Sequence, residues 1–584
     1  MRIFDKKESI VKFWKVTAFI STLFPLFFFI RAGNFDQDHW FFTLFDDAMI
    51  SMTYARTLSE TGELVWFPGA ERVQGFTNLF WTLYMASLHH LGLVGTQVSA
   101  AISLTGILCI IGSSFICFSL VNKTIPEVEN KLLWSFSVAS IIPLLYPLVF
   151  WSLRGMEVGV LCFLALSTMV LSLKYENDYT PVKSKFIFTA TLLTSATGVL
   201  IRLDFAAIVF VIAIVQFLLS ANKKNILQFT IAHLGFIVLT FLVILVFQLF
   251  YYQDIFPNTY RLKVGGYGLI DRLLNGVLTI RNVATLTFLV IVIGLIALKN
   301  RYTKTNKIIL ITSSVFLTAC AYSIWVGGDA WEWSRMANRY VSITLPFAIV
   351  SIMLGAYQFF CQKFLITKQS KVKIFFGLLW VIYLTVFYPR PKSEDQLLAS
   401  LALITITAFF CIHLSRDQNK RVHWFHNQLF TVCLLLTLVS GWSGLNWIFK
   451  GGLHIEDDFE ISKRSSYYDE ITKEKAVIAV VWAGAPAYYS KRNMIDLLGK
   501  NDRKIASIKP VGKIYPGHNK WDYNYSIGSL RPDVVMELFV HTDLDKKKLE
   551  DWGYIEKCYL NKKIGYFLRH SEEIHWSLLT ECVS

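Results

Sequence analysis

The feature that most constrains this chain is a series of long apolar runs separated by short basic loops. Clear runs occupy 15–31, 98–120, 132–150, 156–173, 186–201, 205–220, 229–252, 283–298, 307–325, 340–361, 372–388, 397–414 and 428–447. Crossing ~30 Å of hydrocarbon takes ~20 helical residues, because each residue rises ~1.5 Å and every backbone polar group must be bonded internally. Most runs approach that length. Of 584 residues, 54% are hydrophobic, and the mean hydropathy is +0.46. A water-soluble globule is excluded, and a polytopic α-helical membrane protein with about 13 transmembrane helices is predicted.

The stretch 186–220 is too long for one crossing. IRLDF at its middle would place Arg202 and Asp204 at the bilayer centre, so it reads as a hairpin. Phe76–Leu93 has an apolar core of only about ten residues and ends in His89–His90, which suits a re-entrant or interfacial helix. Much of the net charge of +15 sits in the basic N-terminus and in loops such as KYENDYTPVKSK, ANKKN, LKNRYTKTNK and SRDQNKRVH. Lys and Arg accumulate in cytoplasmic loops, which places the N-terminus in the cytoplasm and 76–93 outside the count of spans. The expected location is the bacterial inner (plasma) membrane, multi-pass, with the C-terminal domain periplasmic. The positive charge therefore reports topology, and no nucleic-acid partner is expected. No small-residue cleavage site follows the first run, so no cleavable signal peptide is expected.

This topology puts four polar clusters on the outer face: FDDAM (Asp46, Asp47), SLRGME (Arg154, Glu157), IRLDF (Arg202, Asp204) and WVGGDAWEWSRMANRY (Asp329, Glu332, Arg335, Arg339). Arginine forks match phosphate oxygens, and a carboxylate can take the proton of an attacking hydroxyl. Each cluster also has a plain structural role. Asp46 and Asp47 precede an amphipathic helix (Ile50, Tyr54, Leu58) and suit a cap; the Arg/acid pairs suit hairpin ends, and the Trp-rich segment suits an interfacial belt.

The predicted division is a transmembrane module at 1–447, with a first outer loop at 32–97 carrying the acids, and a small soluble α/β domain at 448–584. In that tail KAVIAVVWAGAPAYYS and Asp533–Val540 read as β-type runs with turn residues between them, and His518 lies in the polar loop PGHNK. Of nine cysteines, only Cys558 and Cys582 lie in the polar tail, where an oxidising compartment would let them pair. No metal-type CxxC spacing occurs, and a divalent cation remains an open expectation.

The segments DDAMISMTYARTL…GELVWFPGAERVQGFTNLFWTL, SLRGMEVG, VGGDAWEWSRMANRYVSITLP and AGAPAYYSKRNMIDLLGKNDRKIA, with GHNKWDYNY and RPDVV, resemble the GT-C glycosyltransferases. The likeness is to the branch containing terminal β-arabinofuranosyltransferases and pilin arabinosyltransferases. It implies a polyprenyl-phosphate-linked sugar donor in the membrane and inversion at the anomeric carbon. It implies a periplasmic glycan, lipid or pilin-type protein acceptor. It gives the base to Asp46 and a supporting role to Asp47. Arg154, Glu157, Arg202, Asp204, Asp329, Arg335, Arg339 and His518 are then candidate substrate-binding residues, with Arg154, Arg335 and Arg339 facing the phosphate. The branch often has a Pro-Glu pair where this chain has Arg202–Leu203–Asp204. Alternatives are a lipid A aminosugar transferase or protein O-mannosyltransferase of the same architecture, and a lipid-linked sugar flippase. No internal repeat favours the flippase.

Overall fold

The computed structural model describes residues 2–36, 39–126, 131–177, 181–221, 223–331, 336–361, 447, 455–540 and 542–582. Among them seven helices are long and apolar enough to cross a membrane: Val11–Ala32, Thr96–Thr124, Val158–Glu176, Ser184–Ile201, Lys223–Tyr252, Leu269–Leu298 and Lys304–Trp325. The run expected at 132–150 is a pair, Lys131–Leu144 and Tyr146–Leu153, bent by 48°. Pro143 and Pro147 flank the bend, where a missing N–H and ring sterics interrupt the helical ladder. Phe205–Leu219 and Leu345–Phe359 are shorter apolar helices. The chain is thus a mostly helical, multi-pass membrane protein with a C-terminal α/β sheet domain. The expected runs 372–388 and 397–414, and 428–447 up to its last residue, lie outside the described residues.

One span starts earlier than hydropathy alone indicates. Helix begins at Leu269 rather than 283, because Asp271, Arg272 and Arg281 interrupt the apolar pattern without breaking the backbone. The 186–220 stretch turns at Arg202–Asp204, as a hairpin of Pro181–Ile201 and Phe205–Leu219. Helix Leu79–His90 has 12 residues, which is about 18 Å of helix and well short of the hydrocarbon thickness.

The extramembrane framework begins with a hairpin of β1 (Asn34–Asp36) and β2 (His39–Phe41), followed by the first-loop helix Asp46–Thr61. Phe45 is the N-cap, two acids occupy the first turn where the helix dipole favours them, and Gly62 (φ 78°) ends the helix in the left-handed region. In the tail, helix Ile455–Ile471 precedes a five-stranded sheet. Its strands are β3 (Val477–Val480), β4 (Asn493–Asp496), β5 (Val534–Val535), β6 (Tyr554–Tyr559) and β7 (Lys562–Leu568), in the order β4-β3-β5-β7-β6. β3 pairs parallel with β4 and β5, whereas β7 is antiparallel to β5 and β6. The run predicted at 533–540 forms only the two-residue β5. A disulfide joins Cys558 to Cys582 and fastens the last residues to β6.

The tail is not a pendant. One apolar cluster takes Ile50, Tyr54, Trp66 and Phe76 from the first loop together with Ile478, Val480, Met494 and Val534 from the sheet. Undocking would expose side chains worth about 1.5–3 kcal/mol each.

If Leu79–His90 does not cross, cysteines introduced at Glu71 and Val94 will react with a membrane-impermeant maleimide from the same side. Protection of one position until the cell is permeabilised would make the segment a span.

Candidate active site

The loops that join the spans on one side are 33–95, 154–157, 202–204, 253–268 and 326–344. Each contributes to one cleft, which Lys500 and His518 of the tail complete. Helix geometry selects which first-loop residues face it. Asp47, Ile50 and Ser51 lie at i, i+3 and i+4, on one face of Asp46–Thr61, and all line the cleft.

Asp46 lies round the helix and is not among the cleft residues. Its buried carboxylate accepts the backbone N–H groups of Ala485 (2.8 Å) and Gly484 (3.1 Å) at the Ala485–Ser490 helix. Seven residues on, Thr53 donates to the Gly484 carbonyl (3.2 Å). Gly484 is required by proximity, since a Cβ there would meet the Asp46 carbonyl oxygen at 2.1 Å and Met49 Cβ at 2.7 Å. Burial pushes the Asp46 carboxyl up to about 6, against the pull of Lys500 and the two N–H groups.

Asp47 anchors a chain of alternating charge. It takes Lys500 Nζ at 2.8 Å on one oxygen and the Arg339 guanidinium at 3.1 Å on the other. Arg339 Nε reaches Asp329 at 2.8 Å, and Asp329 meets Lys263 Nζ at 3.4 Å. Lys263 also donates to the Tyr340 hydroxyl (2.6 Å). Burial works to raise both acids, but Lys500 with Arg339, and Arg339 with Lys263, outweigh it and hold Asp47 and Asp329 below the usual carboxylate range. Three cations against two acids leave one positive charge.

Local structure explains each placement. Asp496 accepts the N–H groups of Leu498, Gly499 and Asn501, knotting the loop that carries Lys500. Gly327 and Gly328 (φ 82° and 86°) turn the chain after Lys304–Trp325, and Asn338 caps the short helix starting at Arg339. Lys263 comes from the Asn258–Val264 helix.

The other expected residues divide. Arg202, Asp329, Arg339 and His518 line the cleft, whereas Arg154, Glu157 and Asp204 do not. Arg202 is gripped by Asp204 (2.9 and 2.7 Å) and by Glu157 (2.7 Å), so these acids position it. Glu157 in turn accepts from Asn78 (2.9 Å), which also accepts from Ser51 (2.8 Å). Arg154 is turned away, into a buried pair with Asp458 (2.6 Å) and onto the Thr43 carbonyl (2.7 Å). Arg335 and Glu332 lie outside the described residues. Sequence reasoning missed Lys263, Lys500, Asn78, Tyr322 and Tyr340. Only Lys500 had a local signal, the Asp–x–x–Gly–Lys knot.

No group of three or more His, Cys, Asp or Glu side chains gathers to hold a metal ion among the described residues. Asp47 and Asp329 already face two cations each, so the lining suits an anion rather than a cation.

A second, apolar groove opens among Ala207, Phe210, Leu234, Val238, Phe241 and Thr318. A smaller cavity shares Ala207 and Thr318 with that groove, and Tyr322 and Tyr340 with the polar cleft.

A family model described as a domain of unknown function, DUF8728, matches residues 455–578. No curated protein matches the chain. Among solved structures, ArnT from Cupriavidus metallidurans in the apo state is 12% identical at a TM-score of 0.43, covering 85% of this chain and 86% of that one. The archaeal oligosaccharyltransferase AglB from Archaeoglobus fulgidus, in complex with an inhibitory peptide and a dolichol-phosphate, is 12% identical at 0.46, covering 97% and 74%. Arabinosyltransferase EmbB from Mycobacterium smegmatis is 11% identical at 0.43, covering 75% and 43%. At such scores the substrates and residue roles of this chain rest on its own residues.

The Asp46 shift has a signed consequence. Its carboxyl titrates near 6 folded and near 4 unfolded, so the folded state holds an extra proton between those values. That stabilisation is complete below pH ~4 and lost as pH rises through ~6. Asp46→Asn, a permanent mimic of the protonated form, is expected to gain thermal stability relative to the wild type between pH 5 and 7. If the wild type gains instead, the ionised carboxylate is the form the fold prefers.

Proposed function

We propose that the chain is a GT-C-type membrane glycosyltransferase. It transfers a sugar, arabinofuranose on the sequence resemblance, from a polyprenyl-phosphate-linked donor to a cell-envelope glycan or protein acceptor, with inversion. The observation that carries this reading is the Lys500–Asp47–Arg339–Asp329–Lys263 chain in the cleft formed by the loops between spans and the tail. A buried lining with one surplus cation suits a phosphate, and the apolar groove beyond Tyr322 and Tyr340 suits the lipid to which it is attached. The cleft side is read as periplasmic, from the positive-inside pattern and the Cys558–Cys582 disulfide.

In the reaction the acceptor hydroxyl attacks the anomeric carbon from the face opposite the leaving group. Its oxygen forms the new C–O bond, its proton passes to an acid of the cleft, and the C–O(phosphate) electron pair leaves with the polyprenyl phosphate. We assign the proton to Asp47 rather than Asp46, because Asp47 lines the cleft and Asp46 holds the backbone at Gly484 and Ala485. At rest Lys500 and Arg339 make Asp47 a weak base. An entering phosphate competes for both cations, and each one it draws off raises the basicity of Asp47 at the moment a proton must move. The same cations stabilise the charge that develops on the departing phosphate.

Purified protein in nanodiscs, supplied with polyprenyl-phosphate arabinofuranose, tests the assignment. Asp47→Asn is expected to lower turnover by ~10²–10⁴-fold, and Asp46→Asn by less than about tenfold, the loss of roughly one hydrogen bond. The reverse ranking returns the base to Asp46. Arg339→Lys keeps the charge but loses the fork, and is expected to raise KM for the donor while leaving KM for the acceptor unchanged. Unaltered donor kinetics would remove Arg339 from the phosphate site.

A further inference from the structure

His518 is nine-tenths buried, yet it lines the cleft beside Asp47 and Lys500. The segment carrying it is tightly built. Gly517 sits at φ 82°, the His518 N–H donates to the Tyr515 carbonyl (3.0 Å), and the Asn519 side chain donates to the carbonyls of Val511 (2.7 Å) and Lys513 (2.6 Å). Asn519 also accepts from the Tyr267 hydroxyl (2.9 Å), tying the segment to the loop before Leu269. Aromatic rings confine the imidazole: Tyr515 at 4.9 Å, Phe539 at 5.8 Å and the edge of Trp331 at 6.1 Å.

One contact decides the chemistry of the ring. Nδ1 lies 3.1 Å from the Pro516 carbonyl oxygen. A carbonyl can only accept, so Nδ1 carries the hydrogen, and in the neutral ring Nε2 keeps its lone pair. Among the described residues Nε2 has no hydrogen-bond partner. Burial, reinforced by Lys500 and Lys263, lowers the ring to about 4, so it stays neutral at physiological pH.

A nitrogen in that state offers a lone pair and no proton, so it repels a phosphate oxygen and attracts an O–H. Building on the glycosyl-transfer reading above, we propose that His518 Nε2 accepts a hydrogen bond from a sugar or acceptor hydroxyl in the cleft and fixes its direction. The lining is then divided by polarity. Arg339, Lys500 and Lys263 meet the anion, and His518 meets the neutral hydroxyl. His518 moves no proton in this scheme; the hydroxyl that it holds is a neighbour of the attacking one, whose single proton goes to Asp47.

Three substitutions separate this contact from a structural one. Gln sets an amide at the place of Nε2 and can present its oxygen there. Asn instead keeps a donor near Nδ1 for the Pro516 carbonyl but has nothing at Nε2, and Ala has neither. Binding to nanodisc-embedded protein is measured with polyprenyl-phosphate arabinofuranose and with bare polyprenyl phosphate, and KM for the acceptor is measured in the transfer assay. Loss of one hydrogen bond predicts a weakening of about three- to tenfold in His518→Asn and His518→Ala, with His518→Gln close to wild type. Weakening of the sugar-bearing lipid alone assigns the hydroxyl to the donor, and a rise in acceptor KM alone assigns it to the acceptor. Bare polyprenyl phosphate should bind all variants equally. The proposal is overturned if bare polyprenyl phosphate is weakened as much as the sugar-bearing form, which would put the nitrogen on the phosphate. It is overturned equally if Asn behaves as wild type while Gln does not, which would leave only the Pro516 contact, or if Gln binds normally but loses turnover, which would make His518 the base. The binding arm needs no turnover, so a failure of the transferase reading itself would appear separately, as wild-type protein that binds the lipid but transfers no sugar.

Discussion

The site depends on the seam where the Asp46 carboxylate accepts the N–H groups of Gly484 and Ala485. Four residues of the cleft, Lys500, Pro516, Gly517 and His518, belong to the tail, and Lys500 cannot reach Asp47 unless the sheet domain is seated against the first-loop helix. The seam has no slack, because Gly484 lies directly on the helix backbone. Neighbouring contacts keep it closed. Trp66 donates to the Ala483 carbonyl (3.0 Å), Tyr54 to Asn501 (2.9 Å), and the Arg56 guanidinium reaches the carbonyls of Tyr488 and Ala487. The membrane portion and the tail each supply part of one cleft.

Within the cleft, the ordering of charge explains how so many ions are tolerated away from water. Isolated buried charges cost several kcal/mol each, and the cost is met here by alternation, every acid lying between two cations. The arrangement is stable at rest but unsaturated, since the cations exceed the acids by one. A phosphate entering such a lining exchanges one set of counter-ions for another, without stripping ions that had been solvated. Arg202, held by Glu157 and Asp204, forms a second group at the cleft wall, in which the acids exceed the cation by one, and lies over the Tyr340 ring at 5.4 Å.

Much of the fold was legible because a bilayer leaves few choices. Apolar runs of sufficient length must be helices, and IRLDF had to be a turn, since Arg202 and Asp204 could not stay at mid-membrane. The segments of the cleft were legible too, as polar clusters at helix ends. Their division of labour was not. Asp46 and Asp47 are adjacent in sequence and chemically identical, and only the helical twist of ~100° per residue turns one onto the tail and the other into the cleft. Arg154 carried the same signature as Arg339, but a partner roughly 300 residues away, Asp458, holds it aside.

By itself, then, the sequence determined a multi-pass helical protein, most of its described span boundaries to within a few residues (the start at Leu269 being the exception), and an α/β tail, because hydrophobic length and local turn chemistry act over short stretches of chain. The tertiary structure alone decided that Lys500 and Lys263 meet Asp47 and Asp329, with Arg339 between the two acids. Those contacts join residues up to several hundred positions apart, and no local pattern encodes which of many similar charges will be brought within 3 to 4 Å of one another. Desolvation in a shared cleft then sets their protonation and their chemistry, and that environment exists only once the first-loop helix and the tail have closed together.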